Sequence, residues 1–237
     1  MTLQLEVGGA VDVLFFDIDG TLLDHQWAAD EAVGELRAAY EDVLGVLGTE
    51  ELRSVWERLQ EHWFVEYLDR RLSFVEQRRA RVRGLWRHAG AAAPTDQKCD
   101  AAFAIYLAAY ENAWRPFPDV SDCLARLGDV RLGVITNGDL DQQQQKLMKL
   151  GLRGCFDPVV TSSEVGAYKP DRDIFVAAAR LADAPAERCV YVGDRLETDA
   201  NAAARAGMGA IWLNRTQAEG QPAPGVRTIT SLAELEP

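Results

Sequence analysis

The feature that most constrains this chain is a series of short apolar runs, each of which ends in polar residues. The runs are rich in β-branched and aromatic residues, and segments of helical length separate them. They cover residues 11–16, 130–135, 159–161, 189–192 and 210–213. Strands that alternate with helices form βαβ units. The pattern therefore predicts an α/β fold, in which a parallel sheet has helices on both faces.

One connection in this series is too long for a simple crossover. Thr21 and Thr136 lie 115 positions apart, whereas a βαβ unit needs roughly 30 residues. Apolar residues within this stretch recur at spacings of three and four, which predicts a bundle of four amphipathic helices, the first extending to Leu47. We expect an inserted all-helical domain over residues 25–115 and a core formed by residues 1–24 and 116–237.

The composition argues against several classes of protein. The net charge of −12 opposes binding to nucleic acid or to an anionic membrane surface. The apolar runs are far shorter than the ~18–20 residues that span a bilayer, and residues 1–10 contain no recognisable signal sequence. The four cysteines form no Cys-x-x-Cys pair, and we interpret all of them as reduced core thiols. These features predict a cytoplasmic protein that binds neither nucleic acid nor membranes.

Polar side chains follow three of the apolar runs. Asp17 and Asp19 come directly after the first run, Thr136 and Asn137 after the second, and Asp194 after the fourth. The carboxyl ends of parallel strands share one edge of a sheet, which is where ligands bind. Two carboxylates at that edge permit one to act as a nucleophile and the other as a general acid and base. The Asp-x-Asp-Gly sequence also fits a capped turn or part of a calcium site, so its chemistry stays open at this point.

The complete set of motifs resembles that of the haloacid dehalogenase superfamily of hydrolases. The motifs occur in the family's order: Asp17-Ile18-Asp19-Gly20-Thr21, Thr136-Asn137-Gly138, Lys169-Pro170-Asp171, and Gly193-Asp194 with Asp199. The resemblance covers roughly residues 11–215 and includes a helical insert where the family's cap domain of the first type belongs. It implies a Rossmann-like core and an activity most like that of the family's phosphatase and nucleotidase members.

The resemblance gives the motif residues defined roles. The family's nucleophile corresponds to Asp17 and its general acid and base to Asp19. Lys169 would offset negative charge at the reacting group, and it is one of only four lysines beside 21 arginines. The residues implied to bind phosphate are Thr136, Asn137 and Lys169, and the supporting residues are Gly20, Thr21 and Asp199. Asp199 also fits a simple helix N-cap.

A metal ion follows from the charge of the expected substrate. A phosphate monoester is a dianion, and clustered carboxylates repel it unless a hard cation lies between them. We therefore expect Mg²⁺ as the cofactor. Its protein ligands would be Asp17, Asp194 and the main-chain carbonyl of Asp19.

These expectations describe a Mg²⁺-dependent phosphatase that hydrolyses a small phosphomonoester through an aspartyl-phosphate. The motifs look most like those of members acting on nucleoside 5′-monophosphates or acylneuraminate 9-phosphate. Asp19 favours phosphate esters, because the family's dehalogenases lack the second aspartate. A phosphomutase, with a sugar hydroxyl as the phosphoryl acceptor, stays open as an alternative, as does a non-catalytic relative that binds metal or phosphate. The sequence specifies neither the substrate nor the oligomeric state.

The insert contains a strongly basic segment. Residues 70–88 carry seven arginines and one acidic residue, Glu76. Such a patch steers anionic substrates, but the spacing of Arg79, Arg83 and Arg87 favours a solvated helix face.

Two residues beside the motifs have no assigned role. His25 follows the first motif and is a candidate contact for a leaving group. Arg195 follows Asp194, and we expect it to point to solvent or to pair with Glu197.

Overall fold

The computed structural model describes residues 11–236. Residues 1–10, over which we expect no signal sequence, lie outside the described residues. The chain divides into two compact units. The core unit comprises the chain up to Asp24 and from Arg115 onward, and the helical unit is His25–Trp114.

The helical unit contains four long helices and one short helix. Their bounds are α1 His25–Ala39, α2 Glu41–Leu44, α3 Thr49–Leu68, α4 Phe74–His88 and α5 Asp96–Asn112. The start of α4 is fixed by a capping box, in which Ser73 Oγ accepts from Glu76 N and Glu76 Oε2 accepts from Ser73 N. Trp56 and Trp86 are among the largest fully buried side chains of the chain. The long helices correspond to the four that the apolar spacing predicts.

The first helix is shorter than the sequence predicts. It ends at Ala39 instead of continuing to Leu47, and α2 follows as a separate turn. Tyr40 leaves the helical conformation, with φ −130° and ψ 45°. Its ring packs edge-on against Trp86, 5.0 Å between ring centres. Packing of this aromatic pair therefore outweighs the continuous helical pattern.

The core unit contains a six-stranded parallel sheet. Its strands are β1 Val13–Phe16, β2 Arg131–Thr136, β3 Val159–Thr161, β4 Cys189–Gly193, β5 Gly209–Leu213 and β6 Val226–Ile229. Their order is β3-β2-β1-β4-β5-β6. All residues of β1 and β4 are buried, as expected for central strands of a sheet covered on both faces. The predicted α/β fold is confirmed.

Helices and short turns connect the strands of the core unit. The α-helices are α6 Val120–Leu127, α7 Leu140–Lys149, α8 Ser162–Val165, α9 Arg172–Leu181 and α10 Asn201–Ala206. A π-helical turn, Leu196–Ala200, precedes α10, and 3₁₀ turns form at Ala186–Arg188 and Leu232–Glu234. Buried side chains of β1, β4 and α9, including Phe15, Phe175 and Tyr191, belong to one apolar cluster.

Two expectations about the core unit need correction. The sequence analysis misses β6, which is an edge strand with only Ile229 buried and therefore lacks a continuous apolar run. Cys155 is exposed in the loop before β3, whereas Cys99, Cys123 and Cys189 are buried. The prediction that all four cysteines are core thiols is thus wrong at Cys155. Over residues 11–236, no helix has the length and apolar character needed to cross a membrane.

Candidate active site

Three neighbouring strands of the core sheet bring the first, second and fourth motifs together. β1 pairs with β2 on one side and with β4 on the other. Asp17 follows β1 directly, and its main-chain N–H still donates to Val192 O of β4, at 2.9 Å. Thr136 ends β2, and Asp194 follows the last residue of β4. The site therefore lies at the carboxyl edge of the sheet, beside the strand at which the order reverses.

Gly20 makes close contact between the first motif and Asp194 possible. Its φ of +90° is in the region that favours glycine, and a Cβ atom there would lie 2.3 Å from Asp194 Oδ2. Thr21 Oγ1 donates to Asp194 Oδ1 at 3.5 Å. Gly20 and Thr21, which the resemblance gives as supporting residues, thus pack directly against the Asp194 carboxylate.

Lys169 is the buried cation of the site. Its side chain is 5% exposed, and Nζ donates to Asp17 Oδ1 at 2.7 Å and to Asp199 Oδ1 at 2.8 Å. The third donor of the ammonium reaches the hydroxyl oxygen of Tyr191 at 2.8 Å. With all three donors engaged, the Lys169 ammonium has a fixed position against the predicted nucleophile.

Asn137 holds the loop that carries Lys169. Asn137 Nδ2 donates to Lys169 O at 3.0 Å, and Lys169 N donates to Asn137 Oδ1 at 2.8 Å. Both polar atoms of the Asn137 side chain therefore contact the loop, and its main-chain N–H is the donor expected to meet a phosphate. Thr136 is 1% exposed, and within residues 11–236 its hydroxyl has no hydrogen-bond partner. That hydroxyl is available as a donor to a ligand.

Asp19 has a partner that the sequence analysis misses. Lys146, on α7, donates to both carboxylate oxygens, at 2.7 Å to Oδ1 and 2.6 Å to Oδ2. The Lys146 side chain is only 3% exposed, whereas that of Asp19 is 27% exposed. The available signal was the scarcity of lysine in a chain that otherwise uses arginine. Lys146 fixes the orientation of the predicted acid–base group.

Asp199 does more than cap a helix. It is 1% exposed and accepts hydrogen bonds from Lys169 Nζ at 2.8 Å and from Arg195 N at 2.9 Å. Tyr191, like Lys146, belongs to none of the sequence motifs. Its hydroxyl lies 3.2 Å from Asp199 Oδ1 and 3.0 Å from Ile135 O. Asp199 and Tyr191 together fix the far side of the Lys169 ammonium.

The electrostatics of the site indicate an excess of negative charge. Burial raises the pKa of the Asp17 carboxyl to about 6, although the Lys169 ammonium opposes this shift. Desolvation also raises the pKa of Asp194 well above its ordinary value, and the charges of Asp199 and Asp17 raise it further. Burial disfavours the charged form of Lys169, but Asp17 and Asp199 raise its pKa above the ordinary value. One buried lysine is thus insufficient for three clustered carboxylates.

The donor atoms fit a hard metal ion. Carboxylate oxygens of Asp17, Asp194 and Asp199 all lie within 4.8 Å of one another. An all-oxygen set with uncompensated negative charge is the kind that binds divalent cations such as Mg²⁺. Both oxygens of Asp199 accept hydrogen bonds, Oδ1 from Lys169 Nζ and Oδ2 from Arg195 N, whereas Lys169 engages only Oδ1 of Asp17. Asp17 and Asp194 therefore have the freer oxygens.

The two residues without assigned roles lie in different surroundings. His25 belongs to the helical unit, where Nδ1 is 2.7 Å from the Tyr110 hydroxyl and Nε2 is 2.8 Å from Gln60 Nε2. Both ring nitrogens therefore have partners inside that unit. Arg195 is exposed, and its main-chain N–H serves Asp199. Glu197 pairs with Arg205 at 3.8 Å.

Two curated relatives share part of this chain. Glyceraldehyde 3-phosphate phosphatase of Methanopyrus kandleri is 42% identical over 103 residues, which are 43% of this chain and 44% of the relative. Pyrimidine 5′-nucleotidase YjjG of Escherichia coli is 41% identical over 126 residues, which are 51% of this chain and 55% of the relative. The chain thus spans about half the length of these two relatives.

Comparison of structures and a family model extend the match to most of the chain. The HAD-hydrolase YfnB of Bacillus subtilis, solved bound to magnesium, superimposes with a TM-score of 0.77 at 23% identity. The match covers 95% of this chain and 96% of that one, and it shows the same fold. The model of the haloacid dehalogenase-like hydrolases matches residues 11–207. The chain belongs to the haloacid dehalogenase-like hydrolase family.

Proposed function

We propose that this protein is a Mg²⁺-dependent phosphatase that hydrolyses a small phosphomonoester, a sugar phosphate or a nucleotide, through an aspartyl-phosphate. The observation that carries the proposal is the pairing of Asp17 and Asp19 with two different buried lysines, Lys169 and Lys146. Each carboxylate is held separately, as two distinct chemical roles require. The phosphatase and nucleotidase relatives support the same reaction class.

Asp17 is the proposed nucleophile. Its carboxylate is buried, and Lys169 engages Oδ1 at 2.7 Å, which limits the carboxylate to one orientation. Attack forms a bond from an Asp17 oxygen to phosphorus and breaks the bond from phosphorus to the ester oxygen. The Thr136 hydroxyl and the main-chain N–H of Asn137 are the proposed donors to the phosphoryl oxygens, and the charge of Lys169 offsets theirs.

Asp19 is the proposed general acid and base. It gives a proton to the leaving oxygen, and it then takes one from the water that hydrolyses the aspartyl-phosphate. The partial exposure of its side chain leaves it accessible to both the leaving group and water. Lys146 is a positioning residue, because its two contacts fix the plane of the Asp19 carboxylate.

The residues proposed to hold Mg²⁺ are Asp17, Asp194 and the main-chain carbonyl of Asp19, with Asp199 supporting them. When bound, the ion supplies positive charge that offsets the repulsion between these carboxylates and a phosphate dianion. The raised pKa of Asp194, which follows from desolvation and from its acidic neighbours, supports a cation in this position.

The substrate is proposed to be a small phosphorylated metabolite met in the cytoplasm. The net charge of −12 supports this over a nucleic acid or a membrane surface. Relatives that act on glyceraldehyde 3-phosphate and on pyrimidine nucleotides support the same size class.

The test is phosphate release from a panel of nucleotides, sugar phosphates and simple phosphomonoesters, with Mg²⁺ or with EDTA. We expect Mg²⁺-dependent release by the wild type and by Asp173→Asn, an exposed control on α9, and none by Asp17→Asn. Full activity of Asp17→Asn would contradict the nucleophile assignment. Conversion of one sugar phosphate isomer into another without phosphate release would favour the phosphomutase.

A further inference from the structure

The arginines of the basic segment, residues 70–88, fall into two groups. Arg79 and Arg83, on α4, pair with the acidic residues Asp96 and Asp100 of α5. Their side chains are 26% and 34% exposed, so these are ordinary surface ion pairs. Arg81 lies on the same helix but is buried, with 6% of its surface exposed. The sequence pattern does not distinguish it from its neighbours.

Arg81 lies among aromatic rings and has no acidic partner. Its guanidinium carbon is 4.8 Å from the ring centre of Trp56, 5.2 Å from Phe103 and 5.6 Å from Tyr106. Nη2 donates to Gln60 Oε1 at 2.5 Å, whereas Nε is buried without a hydrogen-bond partner. Within residues 11–236, the contacts of Arg81 include no carboxylate. Burial lowers the pKa of this guanidinium; Tyr106, which also hydrogen-bonds to it, opposes the shift, and the charge of Arg78 adds to it.

Gln60 is linked to His25, and His25 to Tyr110, by hydrogen bonds. Arginine has only donors, so Gln60 Oε1 must face Arg81 and its amide nitrogen must face His25. The His25 ring then accepts at Nε2 and carries its proton on Nδ1, which points at the Tyr110 hydroxyl. These contacts engage Gln60 and the His25 ring, and Arg81 Nε has no hydrogen-bond partner among the described residues.

A buried cation without a counterion costs free energy. The faces of aromatic rings return part of this cost, but an unpaired charge and an unmade hydrogen bond both destabilise a folded protein. The Trp56 indole N–H, in the ring beside Arg81, is also buried without a partner. Both Arg81 Nε and Trp56 Nε1 are donors, so each lacks an acceptor.

Arg78 adds a second positive charge beside the first. It lies one turn before Arg81, and its guanidinium carbon is 3.9 Å from the Phe74 ring centre and 4.8 Å from Phe103. Both arginines therefore contact the ring of Phe103. Burial lowers the pKa of Arg78, and the charge of Glu111 opposes that shift. Two guanidinium groups side by side suit a planar or tetrahedral group with several anionic oxygens.

We propose that Arg81 and Arg78 form an anion-binding site inside the helical unit, which takes a carboxylate or a phosphate group. The anion is a free acidic metabolite. It supplies the acceptor that Arg81 Nε lacks and a negative charge beside the two guanidinium groups.

Binding of malonate to the full chain in EDTA, measured by titration calorimetry, tests the proposal. Malonate supplies carboxylates and is not a phosphatase substrate. We expect Arg81→Met to raise the Kd at least about tenfold, the loss expected for one charge-assisted hydrogen bond. The matched control, Arg79→Met, removes an arginine from the exposed part of the same helix and should leave the Kd within about twofold. No binding to the wild type, or equal Kd values for wild type and Arg81→Met, would overturn the proposal.

Thermal unfolding separates ligand binding from a purely structural role. Without malonate, Arg81→Met should unfold at the same temperature as the wild type or a higher one, because it removes a buried uncompensated charge. Malonate should raise the Tm of the wild type and of Arg79→Met but not of Arg81→Met. A lower Tm for Arg81→Met that Arg81→Lys restores, together with no effect of malonate on the wild type, would assign Arg81 to packing alone.

A kinetic comparison identifies the source of the anion, and it alone rests on the phosphatase activity proposed above. A KM for 3-phosphoglycerate that rises about tenfold in Arg81→Met, with no change for p-nitrophenyl phosphate, would overturn the assignment to a free metabolite. If the anion is a free metabolite, Arg81→Met changes neither KM, and malonate changes the kcat of the wild type only. Absence of all activity would contradict the proposed function while leaving the calorimetric and unfolding results interpretable.

Discussion

Single lysines set the chemistry of the two carboxylates that follow β1. Lys146 contacts both oxygens of Asp19, so its loss should disturb proton donation more than phosphate binding. We expect Lys146→Met to lower kcat at least about tenfold for glycerol 3-phosphate, because its alkoxide leaving group requires a proton from the general acid. The effect on p-nitrophenyl phosphate should be much smaller, because p-nitrophenolate leaves without one.

The matched control for this prediction is Lys149→Met, on the exposed face of the same helix, and steady-state kinetics on both substrates provide the measurement. Equal losses of kcat on the two substrates would mean that Lys146 supports the structure generally and does not act through Asp19.

Gly20 is the second residue on which the geometry of the site depends. In Gly20→Ala the new methyl group would lie 2.3 Å from Asp194 Oδ2 at a φ of +90°, so the Asp194 carboxylate has to move. We expect loss of most activity with native circular dichroism. Gly34→Ala, in the middle of α1 with open space around it, should instead stabilise the protein by about 0.5–1 kcal/mol. Wild-type activity of Gly20→Ala would contradict the close contact.

Asp17 and Asp194 could be predicted from the sequence because each lies at the end of an apolar run. Lys169 lies eight positions after the third run, and only its place in the Lys169-Pro170-Asp171 motif identified it. The fold brings all three residues together. Lys146 and Tyr191 have no such local signal, since both lie inside regular elements. Lys146 meets Asp19 across 127 positions of sequence, and no local pattern encodes a contact of that range.

Among the secondary-structure elements, the start of α6 is tied to two other segments by one carboxylate. Asp119 accepts two hydrogen bonds from Arg215, at 2.8 and 2.9 Å, one from Ser231 Oγ at 2.7 Å and one from Leu232 N at 2.9 Å. Burial opposes ionisation, but these donors lower the pKa of Asp119 below its ordinary value. A carboxyl with a depressed pKa stabilises the fold above its unfolded pKa, and this stabilisation is lost as pH falls through the folded pKa.

Asp119→Asn should therefore lower the Tm at pH 7 and reduce the further loss of stability on acidification below about pH 4, the ordinary pKa of aspartate. Thermal unfolding between pH 7 and pH 3 measures both effects. Asp122→Asn, one exposed aspartate later in the same helix, serves as the control. If both variants follow the wild-type curve, the network around Asp119 does not stabilise the fold.

Elements with a strong local signal were predicted well, and elements defined by their neighbours were not. The strands with continuous apolar runs, such as β1 and β4, match the prediction within two residues. β6 exists because β5 offers an edge for it to pair with, and its own residues carry little apolar signal. The π-helical turn before α10 similarly depends on Asp199, whose side chain accepts from Arg195 N across the turn.

At the scale of the whole molecule, the acidic site lowers the stability of the metal-free protein. Asp17, Asp194 and Asp199 repel one another, so removing one charge should relieve that repulsion. In EDTA we expect Asp194→Asn to unfold about 2–4 °C above the wild type, the shift that 1 kcal/mol causes in a domain of this size. Mg²⁺ should raise the Tm of the wild type and of Asp173→Asn but not that of Asp194→Asn. The reverse order in EDTA would contradict the excess of negative charge.

The division into two units predicts that the core unit folds without the helical insert. The two ends of the insertion lie side by side within the core unit: Asp24 N donates to Arg115 O at 3.1 Å, the side chains of these residues pair at 2.7 Å, and Leu23 bridges to Pro116. A short Gly-Ser linker in place of residues 25–114 should therefore close the chain without strain.

We expect the shortened protein to unfold cooperatively and to keep the Mg²⁺-dependent rise in Tm, because the proposed metal ligands all belong to the core unit. An unfolded product would mean that the core requires the helical unit for stability, and the boundaries proposed from the sequence would then not separate independent domains.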